Sequence, residues 1–283
     1  MTVLVIGGGG REHAICWKLA QSLQLTKLYC APGSPGTARV AESVPIRADE
    51  ILELADFASE QEIDLTIAGP ELPLVLGLAD EFAVRGLSLF GPTSQAAELE
   101  GSKVFSKEFM ARHNIPTAAF EVVHDAAAAR RAIKRFGLPV VLKADGLAAG
   151  KGVLIPRDRS ELDHALAQFF DERRFGQAGD RVIVEEFLEG EEVSFIALCD
   201  GSRILPMATS KDYKRIGEGD AGPNTGGMGA HSPAGLAQML EASQDDFDPT
   251  ELAATSVAEV MERIMHPTMT GMAAENRPFR GFL

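Results

Sequence analysis

The sequence predicts an α/β chain that opens with a doubly wound parallel sheet and continues into α+β units. Three observations carry this. Short apolar runs alternate with helical patterns over the first hundred residues. A glycine-rich turn, Gly7-Gly-Gly-Gly10, follows the first of those runs. Further on, lysine- and glycine-bearing strands flank a second glycine-rich turn at 143–152. At roughly 150 residues per domain, 283 residues allow about two globular units.

Val3-Leu-Val-Ile6 reads as a buried strand, followed by a helix from about Glu12 to Ser22. Lys27–Cys30, Asp64–Ala68 and Ser88–Phe90 supply three more strands, with helices around 49–60 and 74–86. Strands separated by helices imply a parallel sheet covered on both faces. From Ser94 to His113 the pattern is helical. Strands are expected at 139–143, 152–155 and 181–188, with helices at 125–136 and 159–171. Residues 193–198 and 203–207 flank Asp200-Gly201 as a β-hairpin. A long polar, glycine-rich loop is expected over 208–235. Asp248 and Glu251 then make a capping pair for a helix that Pro267 kinks or restarts. The sequence stops at Arg-Gly-Phe-Leu283, on the first residues of a strand, and reads as cut short.

Composition narrows the function. With 45% hydrophobic and 24% charged residues the chain can bury a core, and disorder, collagen and coiled coil are excluded. A net charge of −14 repels phosphate backbones, so neither nucleic acid nor an anionic membrane is an expected partner. Cys16, Cys30 and Cys199 are scattered without a CxxC pair, and the six histidines lack metal-ligand spacing. Reduced thiols, no leader and no bilayer-length apolar run together predict a cytoplasmic protein.

Against that acidic background, each cluster of bare main chain with cations demands an explanation. Gly7–Gly10 stands where phosphate meets helix N-terminal amides, with Arg11 beside it. The dinucleotide fingerprint fails, because Glu12 and His13 occupy the places of its third glycine. A phosphorylated substrate fits better; a tight turn alone is the alternative. Lys143-Ala-Asp-Gly-Leu-Ala-Ala-Gly-Lys151-Gly152 is one residue short of a Walker A loop, and Gly152 stands where magnesium would need Ser or Thr. A glycine-rich hairpin after a strand lysine can instead lie over nucleotide phosphates. In Glu185–Glu192 a strand leading into a turn offers main chain to an adenine edge and an acid to a ribose, although a solvated acidic turn has the same composition. Lys211, Lys214 and Arg215 precede Gly222-Pro-Asn-Thr-Gly-Gly-Met-Gly229, where amides and cations suit a phosphate or carboxylate; an exposed loop is the alternative.

In this order the motifs resemble the glycinamide ribonucleotide synthetase family of ATP-grasp ligases. The resemblance runs through the whole chain: IGGGGREHA, GPELPL (69–74), GSKVFSK (101–107), KADGLAAGKGV, EEFLEGEEVS, KDYKRIGEGDAGPNTGGMGA, HPTMTGMAAE and PFRGFL. It implies a pre-ATP-grasp doubly wound domain over 1–100 and a helical connection over 101–120. An ATP-grasp lid (121–190) and a partial central subdomain (191–283) follow, so the ATP-grasp fold is incomplete. The implied reaction couples glycine to 5-phosphoribosylamine while ATP becomes ADP and phosphate, through a glycyl phosphate, in an enzyme of purine biosynthesis expected to be monomeric.

By resemblance, Lys103 and Lys143 contact ATP phosphates, and Gly146, Gly150, Lys151 and Gly152 close over them. Glu185, Glu186 and Leu188 meet adenine, the first and last through the main chain, and Glu192 meets the ribose. Gly8, Gly9, Gly10, Arg11 and Glu71 hold phosphoribosylamine. Asp212, Lys214, Asn224, Thr225, Gly226, Gly227 and Met228 complete the glycine and acceptor pocket, and Lys143, Asp212 and Lys214 are the catalytic residues. ATP carries Mg2+ or Mn2+, whose Glu and Asn ligands are expected beyond Leu283, so the 283-residue chain alone is expected to be inactive or nearly so. Two positions depart from the pattern: Pro32-Gly-Ser34-Pro-Gly36 replaces PGNxG, and His231 stands where Tyr is common. A different ATP-grasp carboxylate–amine ligase and a non-catalytic nucleotide-binding fragment are the remaining readings.

Overall fold

The computed structural model describes residues 1–146, 152–190, 192–219, 221–234 and 257–283. These divide into two compact units, Met1–Gly101 with Met272–Phe282, and Ser102–Gly271 with Leu283.

The first unit is built on a five-stranded parallel sheet. Its elements in chain order are β1 (Thr2–Gly7), α1 (Gly10–Leu19), β2 (Lys27–Pro32), β3 (Glu42–Ser43), α2 (Ile51–Glu60), β4 (Leu65–Ala68), α3 (Glu71–Val75), α4 (Leu78–Val84), β5 (Leu89–Phe90) and α5 (Ser94–Gly101). Spatial order is β3-β2-β1-β4-β5, every pairing parallel. Side chains of a strand alternate between faces, and β1 shows both faces buried. Leu4 and Ile6 enter one apolar cluster with Leu54, Leu78 and Phe82, while Val3 and Val5 enter another with Cys16, Leu28 and Cys30. That double burial is why β1 carries an unbroken apolar run.

Two differences from the sequence reading concern chain breaks. The helix expected over 74–86 is two helices, because Gly77 adopts φ +93° between them. The two-residue β3 was not anticipated, and so short a strand leaves little periodicity to read. Near the chain end, Phe282 sets its ring edge-on to Phe90 with centroids 5.2 Å apart.

The second unit begins with α6 (Lys103–Arg112) and β6 (Phe120–Val123), then α7 (Ala126–Phe136), β7 (Val140–Ala144), β8 (Val153–Leu154), α8 (Arg159–Leu166) and β9 (Val182–Glu186). Asp125 and Asp158 cap α7 and α8 by accepting the Ala128 and Glu161 amides at 2.7 and 2.9 Å. The four strands form an antiparallel sheet in the order β6-β9-β7-β8. Strand β6 escaped the sequence reading because Glu121 interrupts a run only four residues long. Val140, Leu142, Ala144, Val182 and Val184 bury against Ala129, Ile133, Leu162, Leu166 and Phe169. By the same alternation Lys143, Ile183 and Glu185 point to the other face, where Ile183 and Glu185 are also buried.

An antiparallel hairpin of β10 (Ala197–Asp200) and β11 (Ile204–Pro206) forms at the expected turn, but its first strand starts at Ala197 and not at 193. The loop expected over 208–235 is instead largely an antiparallel ribbon of β12 (Lys211–Gly217) and β13 (Ala221–His231). Its glycines mask the strand signal, since glycine is poor in strands generally. The last elements are α9 (His266–Ala274) and β14 (Arg280–Phe282); a wide π-helical turn (Met261–Met265) runs into α9, with Pro267 in its first turn. The capping pair Asp248 and Glu251 lies outside the described residues. No helix among the described residues is long and apolar enough to cross a membrane.

Candidate functional site

In the first unit the expected residues gather at the carboxyl ends of β1 and β4. These strands are neighbours, and the strand order reverses between them: the chain steps outward through β2 and β3, then returns to β4 on the far side of β1. Open parallel sheets bind ligands at such a switch point. The turn Gly7–Gly10 leaves β1 there, and Gly69–Glu71 leaves β4. Arg11 joins them, donating from Nη1 to the Gly69 carbonyl at 2.5 Å and to Glu71 Oε1 at 3.2 Å. Gly8 lies against the Pro32–Gly36 loop so closely that a Cβ on it would sit 2.6 Å from the Gly33 carbonyl oxygen.

One member of this cluster was not singled out from sequence. Glu12 is 4% exposed, and its Oε2 accepts the Gly9 amide at 2.5 Å. A buried acid inside a helix start is legible in sequence only as a capping-box partner three residues after the cap, and the cap here is a glycine. The helix terminus therefore already holds one carboxylate, and an anion at this turn depends on Arg11 as well as on backbone amides.

In the second unit the register of β7 and β9 sets the geometry. Val141 pairs with Glu185, so Lys143, two residues on, is its diagonal neighbour on the same face. Lys143 Nζ and Glu185 Oε2 are 2.5 Å apart. The other carboxylate oxygen, Oε1, is ion-paired with Lys107 from α6. Lys107 is buried and also donates to Thr117 Oγ1 at 2.6 Å and to the Ala118 carbonyl at 3.4 Å. Sequence reading quoted Lys107 within GSKVFSK but gave it no role; only the fold shows that it turns inward. Glu185 stands between Phe120 and Val141 in the ladder, so its side chain, rather than its main chain, faces the lysines. Beyond the strand, Leu188 is 64% exposed.

Lys103 reaches the base of the glycine-rich hairpin, donating from Nζ to the Gly146 carbonyl at 2.6 Å. The adjoining Asp145 accepts from Ser102 Oγ at 3.0 Å and from the Val104 amide at 3.1 Å, and pairs with Arg181. Both contacts fall on the start of α6, so helix and hairpin base are held as one piece. Gly152 resumes the described chain after the hairpin; Gly150 and Lys151 lie outside the described residues.

The ribbon assembles the remaining residues. Lys214 Nζ lies 3.2 Å from Glu192 Oε2 and 3.7 Å from Asp212 Oδ2, which brings three expected site residues together. Tyr213 pairs with Gly229 and Arg215 with Asn224, so residues 225–228 stand opposite Lys214 alone. This bulge is closed from within: Thr225 Oγ1 donates to the Lys214 carbonyl at 2.8 Å and accepts the Gly227 amide at 3.1 Å. Gly227, at φ +124°, occupies a conformation that other residues rarely adopt. Met228 is exposed.

Comparison with known proteins covers the chain end to end. Residues 1–100 match the phosphoribosylglycinamide synthetase N domain and residues 101–283 its ATP-grasp (A) domain. The chain is 50% identical to a phosphoribosylamine–glycine ligase of Yersinia pestis and 49% identical to one of Escherichia coli, over its full length. It spans 63% of the length of those relatives. The crystal structure of phosphoribosylamine–glycine ligase from Thermotoga maritima superposes with a TM-score of 0.78 at 32% identity, covering all of this chain and 64% of that one. N5-carboxyaminoimidazole ribonucleotide synthetase from Thermus thermophilus, at 22% identity and a TM-score of 0.59, shares the fold. With both domain matches adjoining and together spanning every residue, the chain belongs to the phosphoribosylglycinamide synthetase family, as its N domain and ATP-grasp domain.

Proposed function

We propose that this chain carries the nucleotide and ribose-phosphate sites of a ligase that joins glycine to 5-phosphoribosylamine, giving glycinamide ribonucleotide, ADP and phosphate in purine biosynthesis. The observation that carries this reading is a lysine on either side of one glycine-rich hairpin's base: Lys143 stands on the strand that enters it, and Lys103 donates from Nζ to the Gly146 carbonyl at 2.6 Å. Two cations beside bare main chain suit polyphosphate, where catalysis needs charge and positioning more than a base.

On this reading a glycine carboxylate oxygen attacks the γ-phosphorus of ATP, the bond to ADP breaks, and glycyl phosphate forms. The amine of phosphoribosylamine then attacks the glycyl carbonyl carbon, loses a proton and expels phosphate. Lys103 and Lys143 hold the phosphates, with Gly146, Gly150, Lys151 and Gly152 closing over them. Glu186 and Leu188 offer main chain to adenine where β9 ends, Glu185 acts there through its side chain, and Glu192 takes the ribose. Asp212 and Lys214, with the bulge Asn224–Met228, hold the glycine and acceptor, while Gly8, Gly9, Gly10, Arg11 and Glu71 bind the sugar phosphate at the switch point.

Magnesium or manganese accompanies ATP on this reading. Among the described residues no group of three or more His, Cys, Asp or Glu side chains could hold a metal ion, and the roles above rest on the chain's own cations. The division of residues 121–283 into a lid (121–190) and a central part (191–283), a monomeric state and a cytoplasmic location belong to the same proposal.

Calorimetric titration with ATP, with and without glycine, tests the nucleotide site, and ADP formation by the full-length protein tests the reaction. ADP release that requires both glycine and phosphoribosylamine is the expected result. Release driven by another carboxylate instead would favour a different ATP-grasp ligase, and binding without turnover would favour a nucleotide-binding role.

A further inference from the structure

Lys107, Glu185 and Lys143 form a line of alternating charge from the interior of the second unit toward its ligand face. Lys107 sits at the closed end, its side chain 10% exposed, and Lys143 at the open end, 28% exposed. Glu185 lies between them with a side-chain exposure of 7%. Both carboxylate oxygens are engaged, one by each lysine. The three acceptors around Lys107, Glu185 Oε1, Thr117 Oγ1 and the Ala118 carbonyl, use all the donors of an ammonium group. Nothing is left over on Lys107 for a ligand, whereas Lys143 remains partly open.

Charge counting gives this line a purpose. Glu185 and Lys143 alone would make a neutral pair, and a lysine neutralised by its own carboxylate attracts a phosphate weakly. The second lysine cancels the carboxylate from behind, so that the cluster as a whole keeps one positive charge at its open end. Resting on the nucleotide reading above, we propose that Lys107 is a positioning residue for phosphate binding: it never touches ATP, and it releases the charge of Lys143 to do so.

The proposal predicts an order of affinities set by net charge. Glu185→Gln raises the cluster to two positive charges, the wild type and Lys107→Met/Glu185→Gln each have one, and Lys107→Met has none. ATP and adenosine are titrated calorimetrically into the 283-residue chain and its variants in magnesium-free buffer, and the ratio of their affinities is compared. That ratio isolates the phosphates from any change at the adenine. Relative to wild type, Lys107→Met is expected to lower the ratio about tenfold, and the double variant to recover it to within about threefold. Glu185→Gln is expected to raise it. Should Lys107→Met not fold, the comparison of wild type, Glu185→Gln and the double variant, which buries no unpaired charge, decides the question. A ratio that falls in all three variants, or that stays constant in all, overturns the proposal. Wild-type chain that binds no ATP removes the nucleotide reading itself, a failure visible before any variant is made.

Discussion

The Glu12 carboxylate sits under the turn that ends β1, accepting the Gly9 amide at 2.5 Å, and Gly69 leaves it no spare room. A Cβ at Gly69 would lie 1.9 Å from Glu12 Oε1. The glycine that follows β4 is thus required by a side chain on α1, not by its own backbone angles. Gly69→Ala is expected to destabilise the chain by about 1–3 kcal/mol, as overpacking in a closed site does. Equilibrium unfolding in urea measures it; a midpoint equal to that of wild type would count against this packing.

Asp145 couples the hairpin base to α6 through Ser102 and the Val104 amide, and pairs with Arg181 ahead of β9. Asp145→Ala strips a buried cap from a helix start and leaves Arg181 without its partner. Arg181 is half exposed, so water offsets much of that second loss. The expected cost is about 2–3 kcal/mol, larger than for an ordinary surface cap. Faster hydrogen exchange at the first turn of α6 would locate the effect.

All three thiols are buried. Cys199 is pushed up to about 11, first by burial and then by the charge of Asp200. Cys16 is also pushed up, by its hydrogen bond with Cys30 and by burial. Cys30 is instead pulled down by its hydrogen bond with Cys16, so its protection rests on complete burial. Iodoacetamide at pH 8 is expected to leave the folded chain unmodified and to label three sites in denaturant. Mass spectrometry reads the count, and labelling of Cys199 in the folded state would contradict its burial.

Asp200 turns the β10–β11 hairpin, accepting the Ser202 and Arg203 amides at 2.9 and 2.7 Å and the Ser202 hydroxyl at 3.0 Å. Those bonds, the Arg203 amide foremost, hold its carboxyl down to about 2 from an ordinary 3.8. A depressed acid adds stability above its unfolded pKa and loses it as pH falls through the folded one. The turn is expected to loosen between about pH 4 and 2, in step with protonation. Following the Asp200 carboxyl resonance and the two amides by NMR checks both; a midpoint near 4 would mean the turn bonds are not made in solution.

Local sequence was enough for elements whose signal is local. The apolar runs of β1, β7 and β9 and the Asp200-Gly201 turn each declare themselves within a few residues, because apolar runs and turn chemistry act at that range. Candidate motif residues stood out for the same reason: Arg11, Lys143, Glu192 and Lys214 lie near glycines or acids that mark them, whereas Lys103 entered only through the family resemblance. Partners were not. That Arg11 meets Gly69, that Lys107 turns inward to Glu185, and that Glu12 fills the space beside Gly69 depend on strand order and register. Those are set by which strand faces the whole fold buries, a constraint that couples residues about sixty to eighty positions apart. The ribbon at 211–231 makes the same point from the other side. Glycine-rich composition reads as loop, and only pairing with a partner strand supplies the hydrogen bonds that make it sheet.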